Sequence, residues 1–179
     1  MKLLLSAVCS VLFVTSAFAQ RGAVVVNVGG AVNCVSTKGE SGFDATSYSL
    51  GGSEATSKVG SSGSGAGAGK LDLSDLTINK NFDACSEQLI RSFLSGKFIP
   101  TLTLIQYSAG ERPFAALTIT LSTAIINNYQ VTGAPDVRPT ESLAFTYNKV
   151  CVKSVSQKPD GTLESPVTVC YDVARGMLS

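Results

Sequence analysis

Between Leu117 and Ser122 the chain reads Leu-Thr-Ile-Thr-Leu-Ser, with apolar and small polar residues in strict alternation. A period of two belongs to a β-strand that buries one face and shows the other to a polar surrounding. The pattern recurs. Leu102 and Leu104 alternate with Thr101 and Thr103, and Leu143, Phe145 and Tyr147 with Ser142, Ala144 and Thr146. Leu71 and Leu73 alternate too, then Leu76 and Ile78 after a phase slip at Ser74-Asp75. At Asn148-Lys149 the apolar phase moves to Val150 and Val152, which predicts a bulge there. The fold class expected is mainly β, with a mostly antiparallel sheet.

One segment departs from that period. Leu89, Ile90, Phe93 and Leu94 make an apolar stripe of helical spacing, Asp83 stands where a cap is wanted, and Gly96 suits a left-handed end. A helix is predicted over 84–95. The valine-rich run from Ala23 to Val35 predicts a strand interrupted at Gly29-Gly30. Residues 51–69 are rich in Gly, Ser and Ala with Val59 as their only large apolar side chain, which predicts a flexible loop. Its end, Gly69-Lys70, lacks the earlier glycine of a phosphate-binding loop.

The first nineteen residues read as a secretory signal: Lys2, a largely apolar run from Leu3 to Val14, then Ala17-Phe18-Ala19. A membrane-spanning helix needs about 20 apolar residues, more than this run supplies. Cleavage is expected between Ala19 and Gln20, leaving one domain over 20–179 with equal numbers of basic and acidic side chains. It is expected to be secreted or periplasmic, with no membrane contact after cleavage.

Cleavage removes Cys9 and leaves Cys34, Cys85, Cys151 and Cys170. An even count in an exported chain predicts two disulfides. A hairpin turns at Lys158-Pro159-Asp160-Gly161-Thr162. A two-residue loop at Asp160-Gly161 sets Cys151 opposite Cys170; a three-residue loop, which Pro159 favours, sets them one residue apart unless a bulge at Ser165-Pro166 restores the register. The pairs expected are Cys151–Cys170 and Cys34–Cys85.

The chain of 179 residues contains no His, which removes imidazole-based nucleophile pairs and metal sites. With 14 Lys+Arg against 13 Asp+Glu, it lacks the basic excess of a nucleic-acid surface. No nucleic-acid partner, cofactor, metal or catalytic residue is expected. Paired carboxylates, Asp72 with Asp75 or Glu40 with Asp44, are the residual acid–base candidates, and a structural cap is the preferred role for them. Lys80, Arg91, Lys97, Arg112, Arg138 and Lys149 are scattered among acids and read as solvated faces or inter-subunit pairs.

Several segments resemble the Hcp family of the bacterial type VI secretion apparatus. Lys38-Gly39-Glu40-Ser41 is similar to its early K-G-E-S turn, and Thr46 to Gly51 to the strand after it. Gly69 to Lys80, running on to Asp83 and Leu89, is similar to its most recognisable stretch. Gly96 to Pro100 fits its helix exit, Glu141 to Val152 its E-x-V-x-L-x-Y strand, and Tyr171-Asp172-Val173 a C-terminal Trp-Asp site. The resemblance implies a β-barrel of two sheets with one short flanking helix and no catalytic residues. It also implies six copies in a ring, rings stacked into a tube, and other secretion components or cargo effectors as further partners. Thr101, Thr103, Thr118 and Thr120 are candidates for a polar channel wall. The signal, the cysteines and the soft loop set this chain apart from ordinary tube subunits. A monomeric extracellular or periplasmic binding module is the alternative reading.

Overall fold

The computed structural model describes residues 22–54 and 71–179. The predicted signal, its cleavage site at Ala19 and Gln20, and most of the predicted flexible loop lie outside them. The strands are β1 (Val24–Val28), β2 (Phe43–Ala45), β3 (Ser47–Ser49), β4 (Gly52–Glu54), β5 (Leu71–Leu73) and β6 (Leu76–Asn81). Helix α1 (Ser86–Ser95) follows, then β7 (Ile99–Tyr107), β8 (Ala115–Ala134), β9 (Val137–Ser154), β10 (Val167–Asp172) and β11 (Met177–Leu178).

All pairings are antiparallel, in the order β11-β10-β9-β8-β7-β1-β2, with β6 joining the free side of β9 and β3 joining β6. Thr46 alone separates β2 from β3, and its N–H bonds the Asn79 carbonyl at 2.8 Å. The sheet therefore closes on itself through that corner into a barrel. The Ser74-Asp75 phase slip is where the chain leaves β5, paired with β4, for β6, paired with β3 and β9. Residues 52–54 form β4, so the segment read as a loop from 51 begins as a paired strand. The valine run likewise stops as a strand at Val28, where Ala31 closes a turn on the Val28 carbonyl.

Strands β8 and β9 are far longer than an ordinary strand of 5–6 residues. They hold together because both change their inward-facing parity at the same level. On β8 the buried positions pass from Ile119 and Leu121 to Ala124 and Ile126; on β9 they pass from Tyr147 to Val150. Thr123, at φ 52°, absorbs the twist. The register itself does not slip at Asn148-Lys149, as predicted for β9; it slips on β8, between Ile126 and Asn128. The extra residue there, Asn127, turns its amide to Asp75 at 2.6 Å. The hairpin passes from one side of the barrel to the other, so its inward face must swap.

Inside lie Val26, Phe43, Leu76, Ile78, Leu102, Leu104, Leu121, Leu143 and Phe145, all sealed from solvent. Among them sit two charges. Lys80 and Glu141 are directly opposite on β6 and β9, with wholly buried side chains joined as an ion pair. The Lys80 ammonium also donates to the Asn81 carbonyl at 2.9 Å and Ser86 Oγ at 3.3 Å, and meets Asp83 Oδ1 at 2.9 Å. Glu141 accepts from Ser86 Oγ at 2.6 Å and from the Tyr129 hydroxyl. The sequence pattern puts Lys80 on a solvated face or in an inter-subunit pair, and neither holds. Its parity with Leu76 and Ile78 carries it inward instead, where Glu141 waits on the matching phase of Leu143 and Phe145.

The network decides how α1 sits. Cys85 is the N-cap residue, with no side-chain cap of its own, and the Asp83 carboxylate accepts the Cys85 N–H one step earlier, at 2.8 Å. The buried face of α1 is Ser86, Leu89 and Ser92, with Phe93 stacked on Tyr129 at 5.9 Å. Leu94, expected in the stripe, is 76% exposed. The helix is rotated to bring the Ser86 hydroxyl to the ion pair.

Removing one member of a buried pair strands the other charge, at a cost of about 3–5 kcal/mol, whereas an apolar replacement of both is far milder. We expect Lys80→Met to lower the urea-derived unfolding free energy by that amount, and Lys80→Met with Glu141→Leu to regain most of it. A single-variant loss below about 1 kcal/mol, the scale of an exposed pair, would reject the assignment.

Candidate assembly surface

The register brings all four predicted threonines to one face. Asn27, Thr103, Thr120, Cys151 and Cys170 stand side by side across β1, β7, β8, β9 and β10. The next row is Val25, Ile105, Thr118, Lys153 and Thr168, and Thr101 joins Ser122, Lys149 and Asp172 on the other side. Cross-strand partners share a face, so this is one largely polar face with six hydroxyls and two lysines against one aspartate, interrupted by the Cys151–Cys170 pair and, at its β1 margin, by Ile105 and the buried Val25. Thr101 is exposed and Thr103, Thr118 and Thr120 half-buried. The opposite face of the same strands is the barrel core.

On β10 the core-facing positions run out past the barrel. Val167 and Val169 share the phase of Val152 and Val150, yet they are 63% and 56% exposed. Beside them β11 pairs with β10 only at Tyr171 and Asp172, and Leu178 is also exposed. Among the described residues the outer edge of β10 from Val167 to Val169 thus offers unpaired strand and apolar side chains together, the combination that favours pairing with another chain. Sequence reading passed over this edge because alternation reports which residues share a face, not whether anything covers them.

Cys151 and Cys170 are register partners with Cα atoms 4.0 Å apart, and Cys34 and Cys85 stand at 5.9 Å, both at disulfide distance. The hairpin takes the three-residue form: Lys158 N–H bonds the Thr162 carbonyl at 2.8 Å, Gly161 closes the turn at φ 85°, and Gln157 bridges Leu163. The register then shifts by one before Val167 pairs with Ser154.

The carboxylates weighed as acid–base pairs have separate occupations. Asp75 holds Asn127, and Asp44 takes the Thr37 N–H at 2.7 Å and its hydroxyl at 2.9 Å. Glu40 accepts from the Tyr107 hydroxyl, while Lys38 lies 4.7 Å over the same ring. The turn Lys38-Gly39-Glu40-Ser41 is therefore a clamp onto the end of β7. Gly42 beyond it is required, since a Cβ there would lie 2.2 Å from the Val26 carbonyl. Among the described residues no cluster of His, Cys, Asp or Glu is arranged to hold a metal, and no helix is long and apolar enough to cross a membrane.

A family model described as Type VI secretion system effector, Hcp, matches residues 27–153. The chain belongs to the Hcp family. No curated protein matches it in sequence. Among solved structures, one titled as a type six secretion system protein superposes with TM-score 0.79 at 20% identity, covering 88% of this chain and 99% of its own. Hcp1 from Salmonella typhimurium gives 0.70 at 18% identity, covering 89% and 100%. A type VI secretion system effector from Yersinia pestis gives 0.63 at 19%, covering 84% and 99%. These likenesses show the Hcp fold, a β-barrel with one flanking helix. Membership makes the chain a structural protein of type VI secretion. The structure gives two segments a physical reading: the Lys38-Gly39-Glu40-Ser41 turn clamps Tyr107, and Glu141 within β9 carries the buried ion pair.

The hydrogen bond to Glu40 and partial burial push the Tyr107 hydroxyl from 10.0 up to about 12. The fold thus favours the neutral phenol, a stabilisation fully present below the unfolded pKa near 10.0 and lost as pH rises toward about 12. Tyr107→Phe is expected to flatten, without abolishing, the fall in denaturation midpoint across that window, since Tyr48, Tyr129 and Tyr147 are also raised. An unchanged slope would discard the clamp.

Proposed function

We propose that residues 20–179 form an exported Hcp subunit that assembles into hexameric rings, and rings into tubes, in the periplasm or outside the cell. The threonine face is the channel wall, and the uncovered edge and apolar flank of β10 meet the next copy. The single observation that carries this reading is the two-sidedness of one sheet. Five strands present a polar ladder on one side and the core on the other, and the last of them runs past the core. An apolar surface that projects from a folded barrel is stabilised by a neighbour, and a head-to-tail contact of this kind closes into a ring when its rotation permits. Strands pack about 4.8 Å apart, so six five-strand faces side by side enclose a bore of about 45 Å. A hydroxyl-lined wall of low net charge suits passage of folded cargo, because it holds none of it strongly.

Export is the second part of the reading. The signal-like N-terminus and two cysteine pairs at disulfide distance belong together, since such bonds persist outside the cytosol. Material recovered from the periplasm is expected to begin at Gln20 by N-terminal sequencing and to titrate no thiol. An uncut chain retained in the cytosol would end this part of the proposal.

Mass photometry of the mature protein without reductant is expected to give a hexamer, and negative-stain images annuli with a bore of that order. A strict monomer at micromolar concentration overturns the ring. Val169→Glu is expected to leave far-ultraviolet circular dichroism unchanged and to weaken assembly about tenfold or more, as one charge on a buried patch costs at least about 1.4 kcal/mol.

A further inference from the structure

The two cysteine pairs are not equivalent. Cys151 and Cys170 lie inside a ladder that continues on both sides, Val152 with Val169 and Val150 with Tyr171, so the backbone holds those strands whatever the sulfurs do. Cys34 and Cys85 join a loop to the residue that begins α1, across a sequence separation of 51.

Past Cys85 the helix is held by Leu89, wholly buried in the core, and by Phe93 on Tyr129, while the loop side is held more lightly. Gln88 accepts the Asn33 N–H at 2.7 Å and approaches Cys34 Sγ at 3.7 Å. Beyond Gln88 a cavity of about 600 Å³ opens beside the helix, lined by Ala31, Ser92 and Ser95, and the buried Ser92 Oγ has no hydrogen-bond partner among the described residues. Ten residues are also too few to stay helical alone, since an isolated helix needs about 12–15. The helix persists because it is docked, and its docking begins at Ser86, next to Cys85, where the hydroxyl completes the Lys80–Glu141 network.

We infer that the Cys34–Cys85 pair is a redox lock on α1: closed, it fixes the start of the helix where Ser86 completes the buried ion network; open, it loosens the helix on a barrel that stays folded. Closure passes two electrons and two protons from the two thiols to an external disulfide, which leaves as two thiols, and a dithiol reverses it by the same exchange.

The test uses the folded, oxidised mature protein, reduced in place with dithiothreitol, with alkylation and mass spectrometry reporting which pair is open. Opening Cys34–Cys85 is expected to speed hydrogen exchange across residues 86–95 about tenfold or more while amides of β7 and β8 change less than about twofold. The variant Cys34→Ser with Cys85→Ser should reproduce this, and Cys151→Ser with Cys170→Ser should not. Unchanged protection of α1 with Cys34 and Cys85 open overturns the lock, and so does simultaneous loss of helix and sheet, which would make the bond a tie of the whole fold.

Discussion

A lysine and a glutamate face each other in the middle of an apolar barrel, and the rest of the molecule is arranged around satisfying them. Lys80 on β6 and Glu141 on β9 are direct cross-strand partners with no solvent exposure. Two bare charges in such a place are costly, so each must be met by further polar groups. Tyr129 comes from β8, Ser86 from α1, Asp83 from the turn before it, and the Phe43 ring of β2 lies 5.4 Å from the ammonium. The ion pair therefore gathers β2, β6, β8, β9 and the helix at one point, and only one arrangement of them satisfies it. Apolar side chains of similar volume would fill the space as well, but they would not specify the rotation of α1 or the register of β6 on β9.

The same economy governs the outer face. Because successive residues of a strand point to opposite sides, each strand that buries a Leu or Val row carries a second row on its other face, rich in Thr on β7 and β8, and five strands in register turn those rows into a surface. The K-G-E-S clamp holds one margin of it through Tyr107, and β10 forms the other margin with its valines uncovered. The assembly proposed for this chain uses both: the polar face as a wall, and the margins as contacts with a neighbour. The inward-facing and outward-facing requirements are met by one sequence period.

Much of this was legible before any coordinates. The alternating segments are strands, the helical stripe is a helix, and Gly161 and Gly96 end their elements with the left-handed backbone that glycine allows. The misreadings share a cause. Leu94 was placed in the core, Lys80 on the surface and a bulge at Asn148, each from the one-dimensional neighbourhood of a residue. Leu94 is exposed because Ser86 is needed inside. Lys80 is buried because a carboxylate from 61 residues away pairs with it. The slip falls on β8 because Asn127 is wanted by Asp75. In each case a long-range polar partner outweighed the local pattern. A signal for the ion pair was present all the same: opposite charges at inward-phase positions of two alternating strands.

Strand order along the chain, the polar and apolar sides of the alternating strands, the place of the last hairpin turn, and the lack of imidazole chemistry follow from local periods, turn residues and composition, which act over a few residues and need no partner; the register that aligns Cys151 with Cys170 does not. Which strand lies beside which, the closure of the barrel at Thr46, the burial of Lys80 with Glu141 and the uncovered flank of β10 were settled only when distant segments met. Burial and pairing are properties of two surfaces at once, and a single stretch of chain carries only one of them.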